Sequence, residues 1–189
     1  MKKTIILLTA LLFALAAIAL PVVADDEKKQ AKKDEQRAEL DAMAKEALGE
    51  LFAAKADTKA LYDKAAGYAV FDNMKVAFVV SGGGGQGVAV GKNGARTYMK
   101  MGTGGIGLGI GGQKYQMIFL FETAEKFDRF VDIGWQGDAG AQAAAGTAET
   151  EGRMNFHDGM AIFQMTEKGL IASADVSGTK YWKNDKLND

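Results

Sequence analysis

Residues 81–113 hold 14 of the chain's 24 glycines, and no other feature limits the possible folds as strongly. In the second half of this stretch, glycines alternate with aliphatic residues, at Gly105, Gly107, Gly109 and Gly111. A period of two is typical of a β-strand, so one face is aliphatic and the other is bare backbone. Such a face marks the close approach of another backbone, an aromatic ring or a ligand. We therefore predict a strand whose glycine face is either a binding site or a close packing surface.

The same glycines fit the dinucleotide-binding pattern G-x-G-x-x-G, for example at Gly102, Gly104 and Gly107. That pattern binds a pyrophosphate only where a helix begins directly after the glycines. Residues 117–121 are Met-Ile-Phe-Leu-Phe, which indicates a second strand instead. Residues 81–87 also lack the Gly-Lys-Ser/Thr ending of a phosphate-binding loop, so we predict no nucleotide partner.

The first 24 residues have the pattern of a secretory signal peptide. Lys2 and Lys3 precede an apolar run over 5–20, and small residues up to Ala24 precede a charged segment. An uncleaved membrane anchor is the alternative, but 16 apolar residues fall short of the roughly 20 that a spanning helix needs. We therefore predict cleavage near Ala24 and an exported protein, either periplasmic or secreted.

Composition excludes several kinds of chemistry. The chain has no cysteine, which rules out a disulfide, a lipid-modified cysteine and a zinc-thiolate site. Without Lys2 and Lys3 the chain has 21 basic and 24 acidic residues, a formal charge of −3, so nothing suggests a nucleic-acid partner. Residues 25–189 are long enough for one domain with a core.

The start of the exported chain, residues 25–66, is predicted to be helical. Residues 25–39 are almost wholly charged and are predicted to be a linker or the start of a helix. Four lysines in this segment could contact an anionic surface: Lys28, Lys29, Lys32 and Lys33. An apolar stripe at helical spacing follows, at Leu40, Met43, Ala44, Ala47, Leu48, Leu51 and Phe52. Asp57 or Thr58 is predicted to cap a second short helix, which ends at Gly67 as a left-handed stop.

After Gly67 the pattern becomes that of β-strands. Asn93-Gly94 is a strong hairpin signal, and Thr123 is the predicted cap of one short helix over 122–132. Residues 134–150, rich in alanine and glycine, lean towards strand, and residues 160–165, 169–176 and 179–182 are predicted strands. The predicted class is α+β: a curled antiparallel β-sheet, sandwich or barrel-like, with N-terminal amphipathic helices and one inserted short helix.

Candidate catalytic and metal-binding groups are weak. His157, the one histidine, lies beside Asp158 in a predicted turn and has no serine nucleophile in a G-x-S-x-G context. No His, Asp or Glu cluster has metal-ligand spacing, and residues 183–189 have the composition of a solvated polar tail. We predict no enzyme activity, no metal and no cofactor. Three aromatic residues suit either a membrane interface or the core, and we favour the core: Trp135, Tyr181 and Trp182.

Six blocks of sequence occur in the order and spacing of the SYLF domain. They are Gly67-Tyr68-Ala69-Val70-Phe71; Phe78-Val79-Val80 with Gly82-Gly83 and Gly85-Gln86-Gly87; Gly105-Ile106-Gly107-Leu108 with Ile110-Gly111 and Gln113; Phe130 to Gly134-Trp135; Lys168-Gly169-Leu170; and Gly178-Thr179-Lys180. The chain resembles this family over residues 40–182. It is most similar to bacterial, secreted, stand-alone members, which share the segments 96–100 and 178–182.

The SYLF resemblance implies a lipid-binding module. Eukaryotic SYLF proteins bind phosphoinositides and other anionic lipids, partly through an N-terminal amphipathic helix, and a yeast branch binds actin. We do not carry the actin activity over, because an exported chain does not meet a cytoskeleton. This sequence departs from the family pattern at Asp72, where many members have proline, and at Gly109, where many have glutamine, so any polar contact from position 109 is in doubt.

The leading hypothesis is a non-enzymatic, anionic lipid-binding protein of the periplasm or cell envelope. One route is the stripe of Leu40, Met43, Leu48 and Phe52 lying among headgroups with Lys45 at its border, although the same stripe suits packing on a sheet. The other route is an acyl chain held on the glycine face. The alternative is an envelope assembly protein that pairs with itself or with a partner through exposed strand edges.

Overall fold

A computed structural model describes residues 2–77, 80–106, 111–137, 149–150, 153–171 and 178–189. Its helices are α1 (Lys2–Ala54), α2 (Asp57–Lys64), α3 (Ala124–Asp132) and α4 (Asp185–Asn188). Its strands are β1 (Gly67–Ala77), β2 (Val80–Gly91), β3 (Arg96–Ile106), β4 (Gly111–Phe121), β5 (Trp135–Gln136), β6 (Glu149–Thr150), β7 (Arg153–Met154), β8 (Met160–Thr166), β9 (Gly169–Ile171) and β10 (Thr179–Lys183). The chain divides into two units, Met1–Ala38 and Glu39–Asp189.

The first unit is helical in its described residues, and α1 runs through the predicted signal peptide and the charged segment. Its charged side chains pair with one another at the surface, as Lys29 does with Asp26 at 3.5 Å and Arg37 with Asp34 at 3.0 Å. Exposed pairs of this kind contribute little to stability. Within the described part of the chain, no helix has a stretch long and apolar enough to cross a membrane.

The second unit is built on one eight-stranded antiparallel sheet, in the order β5-β10-β3-β2-β1-β4-β8-β9. The predicted α+β class with a curled antiparallel sheet is confirmed. The hairpin at Asn93-Gly94 is also confirmed. Gly94 has a φ of 82°, and the Asn93 side chain accepts a hydrogen bond from the Ala95 amide at 2.9 Å. Among the described strands of this sheet, the two outermost, β5 and β9, are two and three residues long.

The two faces of the sheet bury separate cores, because successive residues of a strand point to opposite sides. Phe71 belongs to the aromatic core, whose buried members are Ala69, Phe71, Ala89, Met99, Met101, Tyr115, Met117, Phe119, Phe121, Phe130, Val131, Met160, Ile162 and Tyr181. Val70 belongs to the helix-covered core, in which α1 and α2 bury Ala44, Ala47, Leu48, Leu51 and Leu61 against the sheet. The apolar stripe of α1 is therefore the face that packs on the sheet.

Two short helices adjoin these cores, and one of them is capped as expected. The Thr123 hydroxyl accepts a hydrogen bond from the Lys126 amide at 3.2 Å, which confirms the predicted cap of α3. The prediction for α2 is wrong. Ala56 holds the cap position, and the Thr58 hydroxyl instead donates to the Lys55 carbonyl at 2.6 Å.

Gly67 does not end α2 in a left-handed conformation, as the sequence had suggested. It is the first residue of β1, and a Cβ there would lie 2.6 Å from the Phe127 ring. Glycine is needed at this position because α3 packs against the start of the strand, and the helix itself ends at Lys64.

The expectation of a solvated polar tail over 183–189 is wrong as well. Leu187 of α4 is buried in the helix-covered core, and Asn184 is 3% exposed. The Asn188 side-chain amide accepts from the Tyr98 amide at 3.0 Å and donates to the Tyr98 carbonyl at 2.7 Å, so it imitates the peptide group of a neighbouring strand. Of the region 134–150, the short strands β5 and β6 fall within the described residues, whereas 138–148 lie outside them.

Candidate functional site

The sheet register lines up side chains from five neighbouring strands on the face that α1 partly covers. One cross-strand row, here called the polar row, consists of Gln116, Asp72, Gln86, Lys100 and Trp182. The next row, here called the open row, consists of Lys114, Met74, Gly84, Gly102 and Lys180. Side chains in such rows are neighbours because adjacent strands lie about 4.8 Å apart.

α1 and α2 cover only the part of this face that lies before the polar row. Val70, Val88 and Ile118, which form the preceding row, are each fully buried beneath the helices. Beyond the polar row the face is open, and Met74 is 51% exposed. The sheet therefore extends past its helical cover as a largely bare surface.

Two adjoining cavities lie where the cover ends. The first has a volume of about 520 Å³ and is lined by Leu40, Asp72, Asn73, Met74, Gly84, Gly85, Gln86, Lys100, Met101, Lys114 and Trp182. The second, of about 470 Å³, is lined by Glu50, Asp72, Lys114, Tyr115, Gln116, Met165, Thr166, Glu167 and Gly169. Both cavities are of the size of small-ligand sites. They share Asp72 and Lys114, and α1 contributes Leu40 to one and Glu50 to the other, so they form one groove beside α1.

Three glycines on this face of the sheet, at the open row and beyond it, have free space above them. A Cβ at Gly82 or Gly104 would meet no atom within 4 Å, and one at Gly84 would make only an ordinary contact, 3.5 Å from the Met101 carbonyl oxygen. Packing in the structure therefore does not require glycine at these positions. Because they have no side chains, Gly82, Gly84 and Gly104 leave an accessible strip of backbone, here called the glycine strip.

Two large apolar side chains border this strip. Trp182 is 43% exposed, and its indole lies over Gly102, where an added Cβ would be 3.2 Å from the ring. Met74 lies further along the open row. The core assignment for the three aromatic residues was therefore right for Tyr181, which is buried, and for Trp135, which is half-buried against the aromatic core, but wrong for Trp182.

Lysines lie at both ends of the strip. Lys100 is half-buried in the polar row, and Lys114 and Lys180 end the open row. Within the described part of the chain, none of these three ammonium groups forms an ion pair. The groove's second cavity is more acidic, because Glu50 and Glu167 line it. The first cavity combines Lys100 and Lys114 with apolar groups and one carboxylate, that of Asp72, so it suits an anionic amphiphile better.

A hydrogen bond from a buried residue orients one polar group of the groove. The Asn184 side-chain nitrogen donates to Gln86 Oε1 at 3.4 Å, and Asn184 is held in turn by α4 and β3 through its backbone. Asn184, just before α4, thus helps to hold the side chain of Gln86 in the polar row.

The sequence-predicted site residues fall in three places. Lys28, Lys29, Lys32 and Lys33 lie on α1 in the first unit. In the second unit, Leu48 is buried, Met43 and Phe52 are half-buried in the helix-covered core, Lys45 is exposed, and Leu40 lines the groove. Gly105 and Gly111 lie at the end of β3 and the start of β4, and Gly107 and Gly109 are outside the described residues. The lipid-binding role of each stays a prediction.

The residues of the groove and the open row that the sequence analysis missed are Met74, Lys100, Lys114 and Lys180. Each lies at an alternate strand position that points away from the aromatic core, which is a local signal visible in the sequence. Their assembly into rows depends on strand order, which places β10 beside β3 and β4 beside β1.

The remaining candidate groups give no sign of catalysis. His157 is exposed in a turn, as predicted, and Asp158 beside it has a φ of 48°. A hydrogen bond and ion pair with Lys126, at 3.0 Å, lower the pKa of the Asp158 carboxyl. Among the described residues, no group of His, Asp and Glu side chains could hold a metal ion.

One known protein family matches the C-terminal part of the chain. Residues 102–189 match the family Ysc84, described as Las17-binding protein actin regulator. The SYLF resemblance is confirmed. The matched residues include Lys114 and Trp182 of the groove and Gly102 and Lys180 of the open row.

A curated relative extends the similarity over most of the chain. Beta cell expansion factor A of Aeromonas veronii is 43% identical over 156 residues, which is 82% of this chain. The chain spans 60% of the length of that relative. The similarity therefore includes residues of the second unit that precede the SYLF match. The relative also has further sequence to which this chain has no counterpart.

Proposed function

We propose that this protein is a non-enzymatic lipid-associated protein that binds anionic lipid at the groove beside α1. The observation that carries the proposal is the combination of three lysines that form no ion pair in the described part of the chain with exposed Trp182 and Met74 on an open glycine strip. Anionic headgroups would neutralise the lysines, and the apolar side chains would gain a partner. The SYLF match supports the same class of ligand.

We further propose that the protein acts in the periplasm or cell envelope. The support is the signal-peptide pattern of residues 1–24. Fractionation of cells that produce the chain would test it. We expect the protein in the exported fraction with Asp25 as its first residue, and recovery with an intact leader from the cytoplasm would contradict the proposal.

Vesicle flotation would test lipid binding directly. Residues 25–189 would be floated with zwitterionic vesicles and with vesicles that contain an anionic phospholipid, at low and moderate salt. We expect binding to the anionic vesicles only. Replacement of Lys100, Lys114 and Lys180 by glutamine should weaken it roughly 100-fold at low salt, at about 1 kcal/mol for each lysine.

A second set of three exposed lysines provides the matched control. Lys64, Lys92 and Lys168 are exposed outside the groove, and their replacement by glutamine changes the net charge equally. This control variant should bind as the parent does. Equal weakening in both variants would show that only net charge matters, and no flotation under any condition would favour a protein partner, the alternative function, since the matched family is described by a protein that it binds.

A further inference from the structure

We infer that the ligand of the groove is a single-chain anionic amphiphile, whose headgroup binds Lys100 and Lys180 and whose acyl chain lies across the glycine strip. This inference rests on the proposed function and makes it more specific. It narrows the ligand from anionic lipid in general to one amphiphile whose chain lies on the protein.

The position of the headgroup follows from two neighbouring lysines. Lys100 is the register partner of Trp182, and Lys180 lies two residues before Trp182 on the same face. Lys100 and Lys180 are therefore diagonal neighbours on adjacent strands, roughly 7–8 Å apart. Like charges at this spacing repel each other. An anion between the two ammonium groups would remove that repulsion, and a headgroup phosphate has the required charge.

The other end of the open row is less suited to the headgroup. Lys114 lies where the two cavities meet, and Glu50, Asp72 and Glu167 line the groove around it. Three carboxylates against one lysine repel an anion. The amphiphile therefore has a defined direction, with its headgroup near β10 and its chain pointing towards β4.

The length of the strip matches one acyl chain. From β10 to β4 the open row crosses four strand spacings, which is roughly 19 Å at about 4.8 Å each. Two chains placed end to end span the roughly 30 Å hydrocarbon core of a bilayer, so one chain needs about 15 Å. An acyl chain that starts at Lys180 would thus pass Gly84 and end near Met74.

The volume of the first cavity suits one chain. The first cavity has a volume of about 520 Å³, in the lower half of the range for small-ligand sites. The indole of Trp182 and the side chain of Leu40 of α1 both line it. A chain here would contact the Cα atom of Gly84, and the faces of Gly82 and Gly104 beyond it are also uncovered. A phospholipid with two chains would leave one of them in water.

Filling the strip tests the inference without disturbing the fold. In Gly84→Val the new side chain enters open space, and valine suits a strand, so stability should be kept or increased. Isothermal titration would use the protein as isolated, with lysophosphatidylglycerol below its micelle concentration. We expect one molecule per chain, and an affinity at least about tenfold lower in Gly84→Val.

Three comparisons separate the parts of the inference. Gly49→Ala, which adds a Cβ at an open glycine on α1, should bind as the parent does. Lysophosphatidylcholine, with the same chain but no net charge, should bind at least about tenfold more weakly, and so should the Lys100→Gln, Lys180→Gln variant with the anionic ligand. Glycerol phosphate, which lacks the chain, should show no measurable heat.

Each failure has a separate meaning. If lysophosphatidylglycerol does not bind while the protein floats with anionic vesicles, the single-chain site is wrong and the proposed lipid association stands. Unchanged binding in Gly84→Val would likewise overturn the site. If the protein neither floats nor binds the single-chain ligand, the proposed function fails together with the inference.

Discussion

On the face of β2 that meets the aromatic core, a Cβ at Gly85 would overlap the Asp72 carbonyl oxygen, and one at Gly87 would lie 2.5 Å from the Phe71 ring. On the opposite face of the same strand, a Cβ at Gly82 would meet nothing. Glycine thus serves close packing on one side and leaves open surface on the other. A glycine-rich strand can therefore combine a core and a site, and composition alone does not distinguish them.

The largest expected effect comes from the closed face. Gly87→Ala places a methyl group against the Val70 backbone and the Phe71 ring, so either the strands separate or the aromatic core shifts. We expect a loss of roughly 3 kcal/mol in the free energy of unfolding, measured by chemical denaturation. A loss below about 0.5 kcal/mol would mean that the two faces do not differ in the way described.

A smaller effect is expected from a polar group in the same closed face. Tyr181 is 2% exposed, and its hydroxyl has no hydrogen-bond partner among the residues that the structure describes. Tyr181→Phe removes this buried group and keeps the ring contacts, such as the one with Phe71 at 4.7 Å between centroids. We expect a gain of about 1 kcal/mol in the free energy of unfolding.

The same variant should change the response to alkaline pH. Burial, with a smaller contribution from Tyr115, raises the pKa of Tyr181 well above its usual range. A tyrosine in the unfolded chain ionises near pH 10, whereas the folded one stays neutral, so this residue makes stability fall as the pH rises above about 10. Denaturation at pH 9 and pH 11 should show a smaller fall in Tyr181→Phe, and an equal fall would contradict the assignment.

The smallest effect, of opposite sign to that of Gly87→Ala, is expected on the open face. Gly82→Ala adds a methyl group in free space and reduces the freedom of the unfolded chain. We expect a gain of about 0.5 kcal/mol in the free energy of unfolding. Destabilisation by more than about 1 kcal/mol would indicate that something already occupies the strip, and the comparison of the two faces would then need revision.

Much of the fold was predictable because its signals are local. The Asn93-Gly94 hairpin and the Thr123 cap depend on residues within a few positions of each other, and both were confirmed. The role of Gly67 was mispredicted because the reason for glycine there is the Phe127 ring, about 60 residues away in sequence. Patterns of neighbouring residues in the sequence cannot predict that contact.

The candidate site was less predictable than the fold for the same reason. The alternation along β10 separates buried Tyr181 from exposed Trp182, yet the sequence alone does not say which of the two faces is covered. Lys100 and Lys180 become neighbours only because β10 pairs with β3. The glycine pattern does not predict the order of the strands in the sheet, so it does not predict which side chains become neighbours.

The pairing of β10 with β3 also sets an order of assembly. It joins residues far apart in sequence, 76 positions for Thr103 and Thr179, whereas β1, β2 and β3 are linked by short connections. Loop closure of that length is slow, so β3 has an unpaired edge early in folding, when other chains or a chaperone can bind it. Because β10 supplies Lys180 and Trp182, the arrival of this strand completes the groove, and a ligand that binds there favours the finished sheet over its precursors.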